Sequence, residues 1–427
     1  MSAGSLTYLD TLYGQVTHPE PFSGLIACPV LQRLRHVRLS NIDSVAMPGI
    51  ANISRYEHVL GVGYLAQRLT FAADLTRVER VALGAAALLH DWAITAFGHL
   101  VEESFKYLGA GFDHEHRLYH MISRDENVGE VGFENRQILR GRQTSLRPWA
   151  RGAVGETDAD ALLRQITDLV LGRGRLGPLI SGSIDLDNID NVYRIAFHMG
   201  LAVDRSLPLR LAEAIIGVND SGDIVFERRA ETDVATWLDT RREVYGRLMP
   251  AEPDFGLKIM IIYAAVEAQR NGELAAVDWH LTEVDFLQRL SSSSSSAVRE
   301  TINRWMTGEV WNTSPLRWMT GARPTHPELM NFSKAVSKAL GRECLAYGIK
   351  DKRDRKVRIE FDDGQNRTIG TDPDCWLLGV GSPKRQAFTA AEAATILDLV
   401  AEKFGAGALS DSTAGEDELP MFASLRA

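Results

Sequence analysis

Cysteine is nearly missing from this chain. Three occur in 427 residues, Cys28, Cys344 and Cys375, and none has CxxC spacing. That excludes a disulfide framework and a cysteine-based zinc site, and it fits a reducing compartment. Long apolar runs are missing too: no stretch approaches the ~20 residues of a membrane span. Basic charge is not in excess. With 47 Lys+Arg against 56 Asp+Glu the formal net charge is −9, which argues against a protein that mainly coats nucleic acid, although a local basic groove remains compatible. The first residues, MSAGSLTYLD, have neither the basic region nor the apolar core of a signal peptide. The expected location is therefore cytoplasmic.

What remains is ordinary soluble composition, 45% hydrophobic and 24% charged, in a chain long enough for two or three domains. One stretch organises it, AALLHDWAITAFGH, residues 86–99. The apolar run Val81 to Leu89 leads directly into His90–Asp91, and His99 follows. Imidazole and carboxylate together suit a borderline or hard divalent metal, but two adjacent ligands cannot complete a coordination shell. Upstream, SRYEHVLGVGYLAQRL places His58 on a helix with Val62, Leu65, Ala66 and Leu69 on one face. Downstream, SGSIDLDNIDNVYRIAFHMG crowds Asp185, Asp187 and Asp190 into the first turns of another helix. Part of that acidic cluster suits the positive end of a helix dipole. The pattern is His, then His-Asp, then Asp, each set in an apolar helix.

In this order and setting the residues resemble the HD-domain phosphohydrolases and, within them, the deoxynucleoside triphosphate triphosphohydrolases. The segment LQRLRHVRLSNIDSVAMPGIANISRYEHVLGVGYLA, the pair His114–Glu115 in FDHEHR, and the later WLDTRREVYGRLM and LQRLSSSSSSAVRETINRWMTGEVW are also similar to that family. The likeness runs over roughly residues 8–312. It implies a divalent metal held by His58, His90, Asp91 and Asp187, where Mn, Fe, Zn, Ni and Mg are not distinguished. Asp187 is chosen over its neighbours by the family register. The resemblance further implies His114 as nucleophile or general acid, oriented by Glu102, with His99 beside it, and Arg55 and Arg241 as phosphate-binding arginines. Arginine suits that task through bidentate contacts.

The departures are equally informative. A Gly-His pair of the family is Ala93–Ile94 here, and a phosphate-contacting lysine is Asn188. Positions that read a deoxyribose in the family carry Leu39–Ser40, Asn191, Ile195 and Met249. The metal set is intact while the sugar readers are changed, so the implied reaction type carries over better than the substrate.

The implied fold is mainly α: an HD-domain helical core over residues 1–320 with a leader, a small β-hairpin near 213–228, an α+β appendage over 325–405, and a disordered acidic tail over 406–427. The alternation around Asn219–Asp220–Ser221–Gly222 predicts the hairpin. The Gly- and Arg-rich ILRGRQTSLRPWARGAVGE reads as a surface loop or lid, and Ser291 to Ser296 as an inter-helix loop. KVRIEF, RTIG and CWLLGVG read as strands, and Thr389 as the N-cap of FTAAEAATILDLVAEKF. The basic stretch Lys350 to Lys356 reads as a solvated charge run or a site for nucleotide phosphates between subunits.

Three functions are compatible with these residues: a triphosphohydrolase releasing nucleoside and triphosphate, a phosphohydrolase for another phosphorylated small molecule, and a non-catalytic nucleotide-binding regulator. A homo-oligomer, a dimer or higher, with a nucleotide effector is implied by the family, and C2 dimers are the commonest assembly. Ser40 can hydrogen-bond an added hydroxyl and Met249 can repack around one. Matched ribo- and deoxyribonucleotides should therefore differ by no more than ~10²-fold in kcat/KM. A wild-type preference above ~10³-fold would show that other residues read the sugar.

Overall fold

The computed structural model describes residues 4–109, 111–126, 144–405 and 409–413. Among these, sixteen α-helices far outweigh eleven short strands, so the fold is mainly α as expected. Its centre is the helix Arg77–Leu89. Thr76 and Glu79 close a reciprocal capping box at its start, and every residue from Val81 to Leu89 is buried. A helix apolar on all sides belongs inside a protein, and this one packs against the helices Arg55–Arg68 and Ala159–Val170. Ser54 caps the helix Arg55–Arg68 through the Glu57 amide, and Val62, Leu65 and Ala66 are buried on it as the periodicity predicts. The helix Leu186–His198 lies against Arg55–Arg68 and against Glu231–Leu248. Three helices thus bring His58, His90 and Asp187 to one place.

The leader packs on the core through Leu12, Phe22, Leu25 and Ile26. Leu6–Asp10 and Gly14–His18 form an antiparallel hairpin, with Leu6 opposite His18 and Asp10 opposite Gly14. The hairpin expected near 213–228 forms from Ile215–Val218 and Ile224–Phe226, with the Asn219 side chain accepting from the Ser221 and Asp223 amides. The serine run is the link between the helices Glu283–Ser291 and Ser296–Met306. Thr389 caps the helix Ala390–Phe404 in a capping box with Glu392.

The C-terminal strands fall into two sheets. Cys375–Ser382 pairs antiparallel with Leu345–Lys350 and with Arg317–Thr320. Val357–Phe361 pairs instead with the distant hairpin: Ile224 lies opposite Ile359 in a parallel ladder. The segment 351–356 therefore spans from one sheet to the other, with both ends held. Trp376, Leu377, Val380 and Phe361 belong to the same hydrophobic cluster as Leu88 and Leu89. The tail expected to be disordered from residue 406 forms a strand at Leu409–Thr413, because Arg317–Thr320 offers it an open sheet edge. The rest of that tail, and residues 138–143 of the Gly- and Arg-rich stretch, lie outside the described residues.

Close packing depends on Gly61. A Cβ there would lie 2.2 Å from Asp190 Oδ2 and 2.3 Å from Arg194 Nη2. Gly61→Ala should destabilise the fold by about 1–3 kcal/mol, as overpacking generally does. Urea denaturation monitored by circular dichroism measures this, and an unchanged midpoint would refute it.

Candidate metal centre and catalytic cavity

The helix Arg77–Leu89 ends at His90, whose amide donates to Ala86 O at 3.0 Å. The His90 ring turns back so that Nδ1 donates to the Ala87 carbonyl at 2.9 Å. A carbonyl only accepts, so the proton sits on Nδ1 and Nε2 carries a lone pair. That Nε2 is buried and has no hydrogen-bond partner. It lies 3.7 Å from Asp91 Oδ2 and 3.8 Å from Asp187 Oδ1. His58 Nε2 lies 2.9 Å from the same Asp187 oxygen. His58, His90 and Asp91 present donor atoms close enough together for one ion. Donors at ~2.1 Å from a metal are about 3 Å or somewhat more apart, so the separations fit. An orphaned imidazole lone pair among carboxylates is the environment that a divalent cation satisfies.

The three aspartates of the downstream cluster have three different tasks. Asp185 caps its helix, accepting from the Asn188 and Gly182 amides, each at 2.7 Å. Asp187 faces the two histidines. Asp190 accepts from His58 Nδ1 at 2.7 Å, which directs His58 Nε2 toward the other donors. Asp190 is itself gripped by Arg194 at 2.8 and 2.9 Å and by the Tyr13 hydroxyl at 2.8 Å. Burial disfavours the His58 charge, but hydrogen bonds to Asp187 and Asp190 outweigh it and raise its pKa to about 9.

Beside these donors stands a second group. Glu102 Oε2 accepts from His99 Nδ1 and from His114 Nδ1, both at 3.1 Å. His114 Nε2 lies 3.9 Å from Asp91 Oδ1. Burial opposes the charge on both rings. At His114 the Glu102 and Asp91 carboxylates win and raise the pKa; at His99 burial wins and lowers it. Of the two rings, His114 is thus the one whose protonated form its surroundings favour.

His58, His90, Asp91, Asp187, His99 and His114 line one cavity of about 360 Å³, with Glu102 and Asp190 supporting them from behind. Ser40, Asn188, Asn191, Ile195 and Met249 line it as well. The Ser40 hydroxyl turns to the Ile42 carbonyl at 2.8 Å, while Asn191 Oδ1 is buried without a partner. Arg55 lines the cavity, but two of its nitrogens are engaged: Nη1 donates to Asp91 Oδ2 at 2.5 Å and Nη2 to Asn41 Oδ1 at 2.8 Å. It positions Asp91 rather than offering an open fork. Arg241 does not line the cavity. It lies over the Tyr245 ring at 4.6 Å and donates to Asn188 Oδ1 at 3.3 Å, because the apolar helix face beside it supplies two aromatic rings. Its reach to the site is through Asn188.

Sequence reasoning missed several contributors. Asn41 sits at φ 64°, a conformation asparagine tolerates better than most residues. Gly98, at φ 55°, leaves no room for a Cβ, which would fall 1.9 Å from Asn41 Oδ1. Tyr13 and Asp10 arrive from the leader hairpin. Lys258, Lys352 and Arg355 also line the cavity. Lys258 had a visible signal, a lone cation inside the apolar helix FGLKIMIIYAAV.

No family model matches the chain. A crystal structure of a phosphohydrolase from Bacteroides thetaiotaomicron superposes with a TM-score of 0.64 over 89% of this chain and 100% of that one, at 16% identity. A deoxynucleoside triphosphate triphosphohydrolase of Danio rerio is 30% identical over 103 residues, 22% of this chain and 16% of that protein. An uncharacterized protein of Methanocaldococcus jannaschii is 25% identical over 198 residues, 45% of this chain and 34% of that protein. The matches thus span about a third or less of these two relatives.

Replacing His90 or Asp91 with alanine should abolish bound metal, because too few donors remain. Asp190→Asn should weaken metal affinity by ~10–100-fold through loss of His58 orientation. Wild-type affinity should climb with pH toward about 9, since metal uptake must displace the His58 proton. Elemental analysis and pH-resolved titration calorimetry measure these, and full occupancy in His90→Ala/Asp91→Ala would overturn the ligand set. In fold, and over the matched segments in sequence, the chain resembles the HD-type phosphohydrolases and, among them, the deoxynucleoside triphosphate triphosphohydrolases.

Proposed function

We propose that the chain is a metal-dependent phosphohydrolase acting on a nucleotide, with release of nucleoside and triphosphate as the leading reading. The observation that carries it is the pairing, in one cavity, of the orphaned His90 Nε2 among carboxylates with His114, whose Nδ1 is held by Glu102. His58, His90, Asp91 and Asp187 would hold the ion, which supplies Lewis-acid polarisation of a phosphate oxygen.

The chain's own groups do the rest. Asp190 and the Ala87 carbonyl fix the tautomers of His58 and His90. Arg55 holds Asp91 in place. Glu102 accepts from His114 Nδ1, so the opposite edge, Nε2, faces Asp91 and the cavity. A proton on that nitrogen can pass to the leaving oxygen of a phosphate ester, and carboxylate support is what such a histidine needs. The neutral His99 alongside can accept a hydrogen bond from the substrate.

A phosphohydrolase for a different phosphorylated small molecule is the second reading. It is favoured by Ser40, whose hydroxyl is turned to Ile42, and by Ile195 and Met249, which offer a sugar no strong hydrogen bond. A screen of nucleotides with Mn²⁺ or Mg²⁺, resolving nucleoside, monophosphate, phosphate and triphosphate, separates the two. No release from any phosphorylated compound would leave only a nucleotide-binding regulator. His114→Ala should keep metal and nucleotide but lose ~10²-fold or more in kcat. Acting as an acid, His114 must be protonated, so kcat should fall as pH rises through its raised pKa. Stopped assays across pH check both, and an unchanged kcat in the variant would make His114 structural.

A further inference from the structure

The cavity has a second cationic wall whose groups the metal donors do not use. Lys258 projects from the helix Glu252–Arg270, while Lys352 and Arg355 come from the segment between the strands Leu345–Lys350 and Val357–Phe361. Neither lysine ammonium has an ion-pair or hydrogen-bond partner among the described residues. Asp254, one turn before Lys258, is engaged elsewhere. Its carboxylate accepts from the Ser44 hydroxyl at 2.5 Å and from the Val45 and Ala46 amides at 3.0 and 3.2 Å. Burial, only partly opposed by Asp254, pulls the Lys258 ammonium down to about 8, and the neighbouring Lys352 charge pulls the same way. Two unpaired cations facing one cavity repel each other and call for an anion between them.

The cations are held in place without one. The Asp351 amide donates to Cys375 O at 3.0 Å and the Lys356 amide to Asp372 Oδ1 at 3.0 Å, so each end of the segment is tied down. Asp354 accepts from Arg242 at 3.1 Å. The Lys352 amide lies 3.4 Å from Met249 Sδ, and Arg355 Nη2 donates to Gly182 O at 2.6 Å. Gly182 in turn donates to Asp185, two residues before the metal-facing Asp187. The wall is thereby fixed relative to the metal donors. The two arginines of the helical core are not alternatives, since Arg55 is tied to Asp91 and Asn41 and Arg241 is stacked on Tyr245.

We propose that Lys258, Lys352 and Arg355 form a second anion subsite that binds a phosphate group other than the one at the metal, so that the substrate carries at least two phosphates. This rests on the phosphohydrolase reading and narrows its substrate class. It also gives the C-terminal segment a role in specificity: part of the binding wall comes from beyond the helical core.

The test uses the full chain after chelator treatment, titrated by calorimetry with inorganic tripolyphosphate. Wild type should bind. Lys258→Gln/Lys352→Gln should lose about 10-fold or more in affinity, the scale of a charge-assisted contact or two. Lys352→Gln alone, at an exposed position, should lose several-fold without any risk to folding, and the remote exposed Lys334→Gln should bind like wild type. Equal binding in wild type and the double variant would overturn the subsite. In parallel, with Mn²⁺, the ratio of kcat/KM for a nucleoside triphosphate over p-nitrophenyl phosphate should fall by about 10-fold in the double variant. Hydrolysis with an unmoved ratio overturns the subsite and leaves the phosphohydrolase reading. Lysine-dependent tripolyphosphate binding in a wild type that hydrolyses nothing supports the subsite and overturns that reading.

Discussion

The structure depends on one buried ion pair, Arg194 with Asp190. Both side chains are fully buried, and Arg194 also reaches Asp10 of the leader hairpin and Glu57 of the His58 helix. Breaking such a pair by removing one partner generally costs ~3–5 kcal/mol, because the other charge stays buried and uncompensated. Here the same carboxylate orients His58. Folding and site assembly therefore draw on one group: the leader, the helix Arg55–Arg68 and the helix Leu186–His198 all meet at Asp190. Gly61 exists to let that pair in, and any side chain there would strike it.

The chemistry divides between two carboxylate-centred sets that touch at Asp91. One set offers lone pairs to a cation, and its tautomers are fixed from outside by Asp190 and the Ala87 carbonyl. The other shares Glu102 between two histidines and shifts their titration in opposite directions. The difference is local: His114 has Asp91 nearby in addition to Glu102, while packing around His99 dominates its titration. Two rings bonded to one oxygen are thus unequal before any substrate arrives.

The C-terminal segment is part of this economy rather than an ornament on it. Its strand Val357–Phe361 continues the sheet begun by the hairpin Ile215–Phe226, and its aromatic and aliphatic side chains join the central core. The segment 351–356 is consequently stretched between two sheets and presents Lys352 and Arg355 to the same cavity as His90. A run that reads locally as solvated charge is divided by the fold. Arg353 pairs with Asp351 and Arg358 with Asp223, while Lys352 and Arg355 line the cavity, Lys352 at its exposed rim.

The sequence by itself determined the helical core, the capped helices and the candidate donors His58, His90 and Asp91, because each is a local pattern. Apolar periodicity buries a helix face, a capping box starts it, and the order His, His-Asp, Asp on successive apolar helices marks a candidate donor set. The hairpin at Asn219–Gly222 was legible for the same reason. Only the tertiary structure decided which of Asp185, Asp187 and Asp190 caps, faces the histidines or supports, since all three sit within two helical turns and differ only in what lies opposite. The same holds for Arg55 and Arg241, whose guanidiniums are directed by Asp91, Asn41 and Tyr245 from distant parts of the chain. Lys258 and Lys352 are 94 positions apart by their numbers, and no periodicity links them. They meet because a parallel strand pair carries the C-terminal segment across the cavity, a long-range contact that local pattern does not encode.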